Sequence, residues 1–177
     1  YWNAGVESFN TVQEVQFFRR YNRKVQPDHV ILTFHMNDFE TTPVAFESGG
    51  RLIVYAPNFP GREINVTLYR WSYLYRLLAG RMKNGEENID AVIAETEQAL
   101  AGLRDELAEG GIKFSVVLFP FLRPWEEWSA GDRYSYRLAL RIFGKLQLRY
   151  FDLAPVVEEG FRQGVPMRAA PSDYWHP

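Results

Sequence analysis

The residues best suited to chemistry stand near the two ends of the chain and in one loop between them. Asp173 and His176 are three positions apart. An imidazole can take the proton from a hydroxyl nucleophile and return it to a leaving group. A carboxylate on the other ring nitrogen fixes the tautomer and stabilises the imidazolium. On a tight loop, positions i and i+3 bring the two groups together, although the same spacing also suits an ordinary surface turn. Asn37 follows the apolar run His29-Val30-Ile31-Leu32-Thr33-Phe34. A side-chain amide at the carboxyl end of a strand can donate to a developing oxyanion, and an Asn-Asp pair there equally makes a turn. Gly5-Val6-Glu7-Ser8 precedes a helix start. Backbone N–H groups in such a place bind anions, while a plain strand-to-helix turn would also use Gly5 for its backbone freedom.

Positioning these groups requires alternating strands and helices. Residues 1–5 suit the end of a strand. Thr11-Val12-Gln13-Glu14 has the form of a capping box and opens a helix to about Lys24. Residues 29–34 are short, apolar and β-branched, which predicts a buried strand. Residues 44–66 read as an insertion, with a strand at 51–55 inside a hairpin flap that could serve as a lid. Helical spacing predicts helices over 67–82 and about 87–109, the second ended by Gly110-Gly111. A second buried strand follows at 112–119, then a loop rich in Pro and Trp over 120–128. A helix at 132–147, a short strand at 149–153 and a helix to about Gln163 complete the series. Parallel strands need such crossovers, and ligands bind outside the carboxyl ends of those strands. Gly5 to Ser8, His35 to Asp38 and Asp173 to His176 all fall at such ends. The expected fold is α/β, a three-layer α/β/α sandwich with a mostly parallel sheet, in a single domain spanning 1–177.

The bulk properties exclude several classes. With 46% hydrophobic and 24% charged residues the chain can bury a core. A net charge of -2 and no basic stripe argue against nucleic acid as a partner. The cluster Arg19, Arg20, Arg23, Lys24 reads as a solvated helix face. There is no cysteine, so disulfides and thiolate chemistry are excluded. His29, His35 and His176 are the only histidines, and their spacing fits no zinc site. No metal or other cofactor is expected. No stretch approaches the ~18 apolar residues of a membrane span, so a membrane enters only through an upstream anchor. Asn65-Val66-Thr67 matches a glycosylation acceptor.

Three segments, in order, resemble the conserved blocks of the SGNH/GDSL hydrolases. Residues 3–11, from Asn3 through Gly5 and Ser8 to Thr11, resemble the second block. His35-Met36-Asn37-Asp38 resembles the third, usually Gly-x-Asn-Asp, and Asp173-Tyr174-Trp175-His176-Pro177 the fifth, Asp-x-x-His-Pro. The resemblance implies the flavodoxin-like fold of that family and a serine-type ester hydrolase working through an acyl-enzyme. It assigns His176 as general base, Asp173 as its orienting acid, and Asn37 as the side-chain oxyanion donor. The second donor would be the backbone N–H of Ser8, where the family carries Gly; His35 likewise replaces the family's Gly in the third block. Trp125 and Trp175 are expected to contact substrate, a small acyl ester or an O-acetylated saccharide, although the 120–128 loop equally suits a surface loop with one ring packed down.

The family's nucleophile stands in Gly-Asp-Ser on the first strand, and that string does not occur here. No nucleophile is therefore assigned. That first strand lies inside the family's sheet, between the second and third, so without it strand 29–34 would leave backbone groups unpaired. The expectation is that an upstream segment carries it, on a protein working outside the cytoplasm. Two other functions share the fold: an O-acetyltransferase acting on extracytoplasmic polysaccharide, and a binding module without catalysis.

Overall fold

The computed structural model describes residues 2–6, 9–39, 44–48, 51–55, 65–81 and 89–168. It is an α/β structure whose chain forms two compact units, residues 1–39 with 95–177, and residues 40–94. The insertion expected at 44–66 falls within the second unit.

The larger unit is built on a three-stranded parallel sheet. Its strands are β1 (His29–Phe34), β4 (Lys113–Leu118) and β5 (Tyr150–Asp152), in the spatial order β1-β4-β5. The register pairs Leu32 with Val116 and Phe34 with Leu118, and Leu118 with Asp152. Side chains alternate across a strand, so Leu32, Phe34, Val116 and Leu118 share one face, and all four are buried. Helix α5 (Ala130–Lys145) covers that face: the Phe143 ring lies 5.2 Å from Phe34 and 5.5 Å from Tyr150. The opposite face is partly open. There Ile31 is 56% and Phe151 50% exposed, and the expected burial of both faces of strand 29–34 does not hold. Only a strand covered on both sides reads as uniformly apolar and buried, and among the described residues this face lacks such a cover.

Helix α1 (Thr11–Val25) is capped one residue earlier than its sequence suggests. Asn10 Oδ1 accepts from Gln13 N at 3.0 Å, and Gln13 Oε1 accepts from Asn10 N at 3.1 Å. The reciprocal box is thus Asn10/Gln13, not Thr11/Glu14. The shift turns Thr11 and Glu14 inward, beside Val15. Helix α4 (Ile89–Glu109) buries Leu100, Leu103 and Leu107 along one stripe. It ends as expected at the double glycine, where Gly111 takes φ +68 and Ile112 N donates to Leu107 O at 2.8 Å. Arg104 of α4 donates to Leu146 O at 2.7 Å, tying the helix to the end of α5. Ser129 and Asp132 form a further capping box that starts α5. Helix α6 (Ala154–Arg162) follows β5 directly, with Asp152 Oδ1 accepting from Ala154 N at 2.9 Å.

Residues 2–6 form no strand, contrary to the expected strand end at 1–5. Instead a cleft of about 760 Å³ lies between Trp2–Gly5 and strand β1, floored by Phe17, Tyr21 and Leu103. A strand cannot pair across such a gap, because neighbouring strands sit about 4.8 Å apart. Among the described residues, β1 has a strand neighbour on its β4 side only.

In the second unit, β2 (Val44–Ser48) and β3 (Arg51–Tyr55) pair antiparallel, from Val44↔Tyr55 to Ser48↔Arg51. This is the hairpin anticipated there. The helix expected over 67–82 is two helices, α2 (Val66–Trp71) and α3 (Tyr73–Arg81). Ser72 divides them: its N–H donates to Leu68 O, and its Oγ accepts from Tyr75 N at 3.1 Å. A hydroxyl that closes one helix and caps the next competes with a continuous ladder. Asn65, the residue of the acceptor motif, caps α2 by accepting from Leu68 N at 3.0 Å.

Candidate functional site at the carboxyl edge of the sheet

The carboxyl ends of β1, β4 and β5 lie side by side. Phe119 N donates to Phe34 O at 2.8 Å, and Leu153 N to Leu118 O at 3.1 Å. The loops that leave these strands therefore start from one edge, as parallel topology requires.

From β1 the chain enters a single 3-10 turn, Met36–Phe39, which carries Asn37. Asp38 holds this turn. Its carboxylate is buried, accepts from Thr11 Oγ1 at 2.8 Å, and accepts the backbone N–H of His35. Its own N–H donates to His35 O at 3.0 Å, and its carbonyl accepts from Thr96 Oγ1 at 3.3 Å. Thr11 of α1 and the His35 N–H thus converge on the Asp38 carboxylate, and α4 reaches its backbone carbonyl. Phe39 packs edge-on against Phe34, and the His35 ring lies 5.4 Å from Phe121.

Glu14 is the surprise beside Asp38. Burial, and then the charge of Asp38, push its carboxyl from the ordinary 4.5 up to about 8. Its Oε2 is buried with no hydrogen-bond partner among the described residues. A protonated Glu14 beside Asp38 is the arrangement those two effects favour. A carboxyl held protonated by the fold adds stability that is fully present below pH 4.5. That stability is lost as pH rises through about 8, where the folded state must ionise a desolvated group. Glu14→Gln is therefore expected to be more stable than the parent at pH 8.5, by on the order of 2 kcal/mol, with little difference at pH 4. Urea melts at the two pH values check this; a difference independent of pH would refute it. The signal in the sequence was an acid on the same helical stripe as Thr11, Val15 and Phe18, one turn apart, and the misplaced cap concealed it.

Beyond β4 and β5 the chain builds an aromatic pocket of about 220 Å³, lined by Phe121, Trp125, Trp128 and Tyr136 with Ala154 and Val157. The expected contact residue Trp125 lies here, at the start of a short 3-10 turn whose first N–H donates to Glu158 Oε2 at 3.0 Å. Its ring meets Trp128 at 4.8 Å and Tyr136 at 5.7 Å, with the Arg133 guanidinium over it at 5.5 Å. Tyr136 donates its hydroxyl to Asp152, and burial with that contact raises its pKa above the usual value of 10.0. Asp152 is thereby committed to Tyr136 and to the start of α6.

Ser8, Asp173, Trp175 and His176 lie outside the described residues, and Asn37 is described by its backbone. Among the described residues no group of three or more His, Cys, Asp or Glu could hold a metal ion, and no helix is long and apolar enough to cross a membrane. No family model, no curated protein and no solved structure matches the chain.

Proposed function

We propose that the protein is a serine-type ester hydrolase of the SGNH kind, with a three-layer α/β/α sandwich completed by segments beyond the residues described. The observation that carries this reading is the cleft between Trp2–Gly5 and β1. In the family, the strand that bears the nucleophile lies between the strand before the second block and the strand before the third. By the resemblance those positions would fall at residues 2–5, which form no strand here, and at β1. A strand laid in the cleft would pair with β1, cover Ile31, and present its carboxyl end beside the turn that carries Asn37. The open Ile31 and Phe151 face is where the third layer would pack.

In this reading the serine hydroxyl attacks the ester carbonyl and gives its proton to His176, whose other ring nitrogen faces Asp173. The Asn37 amide and the Ser8 N–H donate to the oxyanion. His176 then protonates the leaving alkoxide, and water resolves the acyl-enzyme by the same route. Asp38, through Thr11 and the His35 N–H, fixes the turn from which Asn37 acts. Pre-steady-state hydrolysis of p-nitrophenyl acetate by the full-length protein tests the reading. A burst of nitrophenolate stoichiometric with protein is the expected result. Steady hydrolysis no faster than the uncatalysed rate would leave a binding module as the better description.

A further inference from the structure

We propose that the aromatic pocket beyond β4 and β5 receives the acyl chain of the ester, a linear alkyl group longer than acetyl, in preference to a sugar. This rests on the hydrolase reading for its place in the reaction, but not for the binding itself. Three observations carry it. The first is position: the pocket opens past the carboxyl ends of two strands, and Phe121 joins it to the His35 ring and so to the Asn37 turn. An acyl group whose carbonyl sat at that turn would point its chain along this wall.

The second is chemistry. The lining is mainly apolar, and several of its polar groups are tied to one another. Arg123 pairs with Asp132, Trp128 Nε1 donates to Arg123 O at 3.0 Å, and Tyr136 is held by Asp152. Glu158 accepts the Trp125 N–H. A sugar ring would bury most of its hydroxyls against a lining that is mainly apolar, which is costly. An alkyl chain makes no such demand. The Trp125 ring is likewise held by contacts with Arg133, Trp128 and Tyr136.

The third is size. Sites that enclose a whole drug-sized ligand run to about 300–1,000 Å³, so 220 Å³ suits one arm of a substrate. Ala154, at the first position of α6, lines the pocket, and a larger side chain there would fill it.

Neutral alkanamides, which share one head group and differ in chain length, provide the probe. Titration of the full-length protein with acetamide, butanamide and hexanamide, read by tryptophan fluorescence, is expected to show affinity rising at least tenfold from acetamide to hexanamide. Glucose should give no saturable change. Ala154→Phe should abolish the hexanamide response, and the ratio of hexanoyl to acetyl ester kcat/KM should fall at least tenfold, since a methylene in an apolar pocket is worth roughly 10-fold or more. Ala154→Leu, a smaller change, should give an intermediate loss if the phenylalanine variant does not fold. Chain-independent affinity, or saturation by glucose, would overturn the proposal. Hexanamide binding without any ester turnover would defeat the hydrolase reading while leaving the pocket intact. Ester turnover indifferent to chain length would do the reverse.

Discussion

His176→Ala is expected to lower kcat for p-nitrophenyl butyrate by roughly 10²–10⁴-fold, the contribution of a positioned general base. On the hydrolase reading, removing the imidazole would leave the serine proton without an acceptor and the leaving alkoxide without a donor, so both acylation and deacylation would slow. KM should change little, because a general base acts in the transition state rather than on bound ester. Asp173→Asn should follow the same direction by favouring the wrong imidazole tautomer. The loss should appear without a change in the melting profile. Steady-state kinetics on folded His176→Ala protein provide the measurement; turnover equal to that of the parent would remove His176 from the reaction.

Phe34→Ala should destabilise the protein by about 3–5 kcal/mol, the range for truncating a fully buried phenylalanine. Phe34 is 0% exposed, at the last position of β1, with the rings of Phe39 and Phe143 each 5.2 Å away. Those partners come from the 3-10 turn and from α5, and neither can follow the receding side chain. The turn is held by Asp38 to α1 and α4, and α5 is capped at Ser129 and tied to α4 through Arg104. The cavity therefore stays largely open, which puts the cost at the upper end. Because a domain has only about 5–15 kcal/mol in total, the variant should unfold at a much lower urea concentration. A change below about 1 kcal/mol would mean that the core does not centre on this strand end. Ester turnover by whatever protein remains folded should also drop, since Phe34 immediately precedes the turn of Asn37.

These two expectations differ in how far the sequence alone could reach them. Strands β1 and β4 are short β-branched runs between breakers, and their positions follow from that pattern. The carboxyl end of α4 follows from Gly110-Gly111. What did not follow were features set by alternatives of one residue. Asn10 and Thr11 both suit a helix cap, and each has a glutamine or glutamate three positions on. Only tertiary contact decides: Thr11 is worth more as a donor to Asp38 than as a cap. Ser72 split one helical pattern into two for a similar reason, because its hydroxyl accepts from the Tyr75 N–H. Strand β1 carries apolar residues on both faces while one face is covered among the described residues, and no periodicity reports what stands opposite.

The aromatic loop reads from sequence equally as a pocket wall or a surface loop, and its chemistry does not show. Trp125 and Trp128 in a strand-end loop suit an acyl chain or a sugar equally well on paper. The pairing of Arg123 with Asp132, across nine positions, and of Tyr136 with Asp152 ties up two of the wall's polar side chains. Neither pairing has a sequence signature, since each depends on how α5 and β5 meet the loop.

Fluorophosphonate treatment of the full-length protein, followed by mass mapping of the modified peptide, goes most directly to the heart of the matter. One serine should be modified, on a peptide outside residues 1–177, and protection of the β1 amides against hydrogen exchange should accompany its presence. Modification of Ser8, Ser115 or another serine within these residues, or none at all in a correctly folded protein, would contradict it.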